Sequence, residues 1–273
     1  MIALGVLGVV SQEFAFDWQP VPAFHPGREL LAVVCGLVMI GLGVGLLLRA
    51  TAAVVARALL PFLLAWLCLK VPTVLAAPQI EGVWIGFGEV SAILAGGWVL
   101  FARLSQLDES PSPLLGGITG ERGLWIAQII FGLAVIPIGL GHLFYVDITT
   151  RLVPSWLPFR VALAYLTGIA QILCGLGIVF SSRARLAAQI ETVLVALFAF
   201  LVWGPDTWFA AAPKLMGTPP GARFALTAFL ITWLVGASAW LIAQDGTRHP
   251  RARETNKEAA PESGAAHARG RNT

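Results

Sequence analysis

The chain has 273 residues, of which 57% are hydrophobic and 12% charged; the charged share is about half that of an ordinary soluble domain. Eighteen Lys and Arg against fifteen Asp and Glu leave a net charge of +3, and ten of those charged side chains fall in residues 244–273. The rest of the chain is too apolar for a soluble enzyme, a disordered protein or a nucleic-acid binder, and it reads as a polytopic integral membrane protein.

A membrane-spanning helix needs about 20 mostly apolar residues. Eight stretches qualify: 1–17, 29–49, 52–70, 83–103, 123–145, 160–180, 185–204 and 222–243. The first is short and carries Ser11, Gln12 and Glu13; a misassigned start codon would account for its length. The first basic residue is Arg28, so the apolar start lacks the basic region of a secretory signal and reads as a retained span. Residues 104–122 form a polar linker containing the run DESPSP. Residues 244–273 are rich in Pro, Ala and charge, lack the apolar content to fold, and read as a disordered cytoplasmic tail.

An internal repeat runs through these spans. VPAFHPGR at 21–28 matches VPSWLPFR at 153–160, and the same offset of 132 carries Gly36 onto Gly168, Gly43 onto Gly175 and Gly45 onto Gly177. AGGWVLFA at 95–102 parallels GASAWLIA at 236–243. The expected fold is therefore all-α: a membrane helical bundle of about eight transmembrane helices built as two parallel four-helix repeats, 1–103 and 123–243. Four is an even number, so both repeats insert in the same orientation, with a symmetry axis along the membrane normal.

Twelve Lys and Arg fall on the side holding both termini and six on the other, which places both termini in the cytoplasm of an inner (plasma) membrane protein. Eleven of the 17 prolines, including Pro20, Pro22, Pro26, Pro72, Pro78, Pro154 and Pro158, fall in the four loops opposite the termini. Trp18, Phe24, Trp156, Phe159, Trp203 and Trp208 are there too. Proline stiffens a loop and prevents helix formation, so these loops read either as a rigid apolar cap or as an ordinary aromatic belt with helix-ending prolines.

Ionisable groups within spans are costly and are the first candidates for a site. Glu89 lies about 9 Å into the fourth span, and Gly82, Gly86, Ala92 and Gly96 share its face. Small residues let another helix approach closely, so Glu89 should point into the bundle, either as a proton- or ligand-binding carboxyl or as a hydrogen-bonded structural residue. His142, near the outer end of the fifth span, can relay a proton or bind a quinone carbonyl, or can simply bond a loop carbonyl. Glu13 falls on Tyr145 at the repeat offset and so should lie at a depth comparable to His142. Thr167, Gln171 and Cys174 form a polar stripe on the sixth span, of the kind that joins helices by hydrogen bonds worth about 0.6 kcal/mol each. Arg57 and Glu191 lie at similar depth in equivalent spans, which allows an ion pair between repeats, although snorkelling to the cytoplasmic interface is the favoured reading.

The three cysteines, Cys35, Cys68 and Cys174, are isolated in apolar stretches, which excludes a disulfide framework or a dithiol motif. His142 is alone near the spans, so a haem held by two histidines of this chain is not expected. No metal cluster, phosphate-binding loop, nucleophile elbow or zinc-protease motif is present.

The run 141–188, GHLFYVDITTRLVPSWLPFRVALAYLTGIAQILCGLGIVFSSRARLAA, carries a helix ending in His142, Phe144 and Tyr145, a VPSWLP loop at 153–158, and a glycine-rich helix through Tyr165–Gly168 and Gly175–Ile178. It resembles the DoxX and DoxX-like membrane family. The resemblance covers about 123–243 and reaches 1–103 through the repeat alone. It implies a four-helix unit, duplicated here, and an accessory role beside a membrane or periplasmic oxidoreductase or with a diffusible quinone. It transfers no catalytic residues; with no paired cysteines or haem ligands, no covalently bound cofactor is expected either, and the chain is not expected to be catalytic on its own. The competing expectation is a carrier for a small apolar molecule or lipid, with Glu89 as the coupling carboxyl. Candidate ligand-binding residues are Glu89, His142, Glu13 and Gln171; the lipid bilayer is a partner in either case, and nucleic acid in neither.

Overall fold

The computed structural model describes residues 1–22, 25–105, 118–204 and 222–245. They form α1 (Ile2–Ser11), a 3-10 turn (Phe16–Trp18), α2 (Arg28–Leu47), α3 (Ala52–Ala76), α4 (Glu81–Leu104), α5 (Gly120–Phe144), α6 (Val146–Leu152), α7 (Arg160–Phe180), α8 (Ala184–Phe198, running on through a π-helical turn at Ala199–Trp203) and α9 (Ala222–Asp245). Seven of these helices are long and apolar enough to cross a membrane. The run DESPSP and most of the tail expected to be disordered lie outside the described residues.

The packing reverses the size order of a soluble core. The fully buried positions are dominated by small residues, among them Ala56, Ala92, Ala95, Ala127, Ala164, Ala188 and Ala239. Large side chains such as Leu30, Leu47, Leu75, Leu166, Leu173 and Phe180 face outward. Hydrocarbon solvates Leu as well as a protein interior does, so helices gain most by bringing small residues and backbones together. α4 is the central element: 72% of its most apolar window is buried, against 17% for α3. It packs on α3, α5, α9 and the 3-10 turn, while α5 packs on α7 and α8 on α9.

Glycine backbones set the closest crossings. On α1 and α2, a Cβ at Gly5 would stand 2.5 Å from the Gly36 carbonyl oxygen, and one at Gly36 would stand 2.6 Å from that of Gly5. On α5 and α7, Gly139 and Gly168 approach in the same reciprocal way, at 2.7 and 2.8 Å. In the segment Gly41, Gly43, Gly45, by contrast, Gly43 meets Ile2 and Gly45 meets Val55, while Gly41 faces open space.

Several element boundaries differ from the sequence reading. α1 ends at Ser11, whose hydroxyl donates back to the Leu7 carbonyl, and Gln12 closes it in the left-handed region at φ 55°. Glu13 therefore stands in the turn after the helix rather than within a span. α3 continues past Lys70 to Ala76 and takes Pro61 and Pro72 inside it, so Pro72 is not a loop residue. An apolar helix tolerates proline where neighbouring groups take up the freed carbonyls. The segment after Tyr145 is not an open loop but contains the short helix α6, which packs on α7 and α5.

Candidate functional site

The loops joining α1 to α2, α3 to α4 and α5 to α7 gather at one end of the bundle, and the polar side chains there are held in pairs. The 3-10 turn places Asp17 and Trp18 against α3 and α4. Lys70, only 1% exposed, donates from Nζ to Asp17 Oδ2 at 2.7 Å and to the Asp17 carbonyl at 2.9 Å. The Asp17 side chain is 63% exposed, so the ion pair is wet on one side and dry on the other. Gly86 makes room for it: a Cβ there would lie 2.0 Å from Asp17 Oδ2 and 2.6 Å from Lys70 Nζ.

One turn further along α4, Glu89 accepts a hydrogen bond from Trp18 Nε1 at 2.5 Å. The small-residue stripe around Glu89 serves three neighbours: Gly82 meets Tyr145, Gly86 the ion pair, and Gly96 Ser238 of α9. Beside this group, Arg28 pairs with Glu13 and lies over the Phe14 ring, 5.5 Å from its centroid. Arg223 of α9 lies 4.2 Å above the Phe16 ring and donates to the Phe14 carbonyl. Trp18 and Phe16 both pack on Phe224. Of the aromatics expected to line this end, Trp18 is buried within the cap, whereas Trp156 and Phe159 are exposed like belt residues; Phe24 and Trp208 lie outside the described residues.

A second polar line runs between α5, α7 and α8. His142 Nδ1 is 3.0 Å from Thr167 Oγ1, and its ring lies 4.9 Å from that of Phe198. Four residues on, Gln171 donates from Nε2 to Glu191 Oε1 at 3.2 Å. Glu191 is fully buried, and its Oε2 has no hydrogen-bond partner. The ion pair between Arg57 and Glu191 does not form: the Glu191 carboxyl turns to α7 instead.

The four sequence candidates thus fall into two places. Glu13 and Glu89 belong to the loop end with separate partners; His142 of α5 bonds Thr167 of α7, one helical turn from Gln171 on that same helix. Sequence reasoning missed Asp17 and Lys70, although a lysine inside an apolar helix signals a nearby anion. It also missed Glu81 and Tyr145, which border a wide opening among the described residues.

That opening is a groove of about 1110 Å³ bounded by α3, α4 and α5. Leu64 and Leu67 form one wall, Leu133, Ile136 and Pro137 the other, and Phe87, Ser91 and Trp98 the floor. Its lining is overwhelmingly apolar, with Gln79, Glu81 and Tyr145 supplying polar groups near one end. Small-molecule pockets typically enclose about 300–1,000 Å³, so this space suits one long-chain molecule. Among the described residues, no three His, Cys, Asp or Glu side chains gather to hold a metal ion.

Residues 131–238, from the middle of α5 into α9, match the family model of a domain of unknown function (DUF8561). No curated protein matches the chain, and no solved structure does.

Proposed function

We propose that this chain is a DoxX-like inner-membrane protein that holds a long-chain amphiphile in the groove between α3, α4 and α5. It acts as an accessory or carrier component and not as a catalyst on its own. The observation that carries this reading is the groove itself: a long apolar trough on helices of membrane-spanning length, with polar groups at one end. A phospholipid and a prenylated quinone both have that build. The resemblance of 141–188 to DoxX supports work beside a membrane or periplasmic oxidoreductase, and any redox centre would then belong to that partner or to the quinone. Glu89 is held by Trp18 and does not line the groove, which favours a positioning role for it over a coupling role.

The same proposal includes eight transmembrane helices in two tandem units, with both termini cytoplasmic. α1 to α4 pack in sequence, and α5, α7, α8 and α9 do so in the same order. Gly27 before α2 and Phe159 before α7, equivalent at the 132 offset, both take the left-handed conformation, at φ 70° and 54°. Gly43 rests on Ile2 as Gly175 rests on Ile136, and Gly36 on Gly5 as Gly168 on Gly139. These contacts favour an offset of 134 between α1 and α5, which sets Glu13 opposite Asp147 rather than Tyr145.

The test is purification from native membranes in mild detergent, with mass spectrometry of bound small molecules and proteins. The expected result is a stoichiometric amphiphile that is lost when Leu64 and Leu133, both exposed on the groove walls, are replaced by Trp. Equal retention by the filled variant would overturn the groove as the site.

A further inference from the structure

Glu81 opens α4 and borders the groove. Both of its carboxylate oxygens are shielded from solvent and have no hydrogen-bond partner. Three donors on this side of the bundle are turned elsewhere: Trp84 Nε1 donates to the Pro78 carbonyl at 2.9 Å, the Gly82 amide donates to the Tyr145 hydroxyl at 3.0 Å, and Lys70 serves Asp17. An acidic group is favoured at a helix N-terminus, but buried acceptors without donors are costly. The groove therefore presents an apolar trough with an unmet demand for N–H or O–H donors at one end, at the level where lipid headgroups lie.

We propose that the groove binds an ethanolamine-headed phospholipid, its primary ammonium on the Glu81 carboxylate and an acyl chain along the trough. This inference rests on the amphiphile reading above and names its ligand class. A primary ammonium brings one positive charge and three donors; with the Glu81 side chain turned out of its packed position toward the groove, two donors meet its carboxylate oxygens and one is left for the Gln79 side-chain carbonyl. The Tyr145 hydroxyl, which accepts from Gly82, keeps its own proton to donate to the lipid phosphate. An oxidised quinone fits this end poorly, because its carbonyls are acceptors facing an acceptor. A choline headgroup has the charge but no N–H donor, so it separates charge from hydrogen bonding.

The experiment places the full chain in nanodiscs containing phosphatidylethanolamine, phosphatidylcholine or phosphatidylglycerol, each with a diazirine in one acyl chain. Crosslinks are mapped by mass spectrometry after illumination. Two charge-assisted hydrogen bonds favour ethanolamine over choline roughly tenfold in labelling of the α4 and α5 groove positions. Glu81→Gln brings the two lipids to equal labelling, while the acyl chain still crosslinks to the groove. Equal labelling by ethanolamine and choline lipids in the unaltered protein overturns the headgroup assignment and leaves the amphiphile reading standing. Absence of groove crosslinks with every lipid overturns both. Labelling that is ethanolamine-selective but unchanged in Glu81→Gln removes Glu81 from the site and also overturns the inference. Free ethanolamine is expected not to compete, since the trough contributes most of the affinity; competition by it would show that the headgroup binds without the chain and would overturn the acyl placement.

Discussion

Replacing Gly86 by Ala adds one methyl group at the most crowded point of the loop end. Its Cβ would stand 2.0 Å from Asp17 Oδ2 and 2.6 Å from Lys70 Nζ, where ordinary contact begins at 3.4 Å. The carboxylate must withdraw, and Lys70, 1% exposed, is then left without its partner. Breaking a buried ion pair costs about 3–5 kcal/mol. Asp17 is 63% exposed, however, so solvent screens the pair and the loss falls to about 1–3 kcal/mol. Ala in place of Gly within a helix returns about 0.5–1 kcal/mol. The net destabilisation is up to about 2.5 kcal/mol, or up to about 10 °C in melting temperature for a protein of this size. The assay is thermal unfolding in detergent followed by size-exclusion chromatography. Gly41→Ala is the control, because nothing lies within 4 Å of its added Cβ and the helix gain stands alone. In an Asp17→Ala, Lys70→Met background, the cost of Gly86→Ala should fall by more than half, since the groups it displaces are gone. A Gly86→Ala protein as stable as Gly41→Ala would refute the reasoning. So would an undiminished cost in the double background.

Phe159 holds φ 54° with an exposed side chain, a conformation that costs a residue with a Cβ about 1–2 kcal/mol; Phe159→Gly should raise the detergent melting temperature, and a fall would show that the ring's contacts outweigh the strain. Gln171→Leu should destabilise by about 1–3 kcal/mol by stranding the Glu191 carboxyl, whereas Gln171→Leu with Glu191→Leu should recover most of that loss. Additive losses in a double-mutant cycle would count against a coupled pair.

The long apolar helices were legible because a run of about 20 apolar residues has few other readings. What stops a run was less legible. Lys70 looked like the end of a span, yet α3 carries it inward for another turn and a half because Asp17 waits there. Pro72 looked like a loop residue, yet in apolar surroundings a proline weakens a helix without ending it. Val146–Leu152 is too short for its periodicity to speak, and its helix depends on the neighbouring α7 and α5.

At the site, the stripe of small residues around Glu89 correctly announced a close approach to that face of α4. It could not say by what. Gly86 admits an ion pair formed between a loop and α3, and Glu89 meets an indole 71 positions earlier in the chain. Polar groups in an apolar stretch reveal that they must be satisfied; the partner is set by how the helices pack. Glu81 turns this argument around. An acidic residue in the first turn of a helix is ordinary, and only the packing of α4 and α5, with the indole of Trp84 and the amide of Gly82 already engaged, leaves its two oxygens without donors. The demand that singles it out is a property of the assembled end of the bundle, so no spacing along the chain could have displayed it.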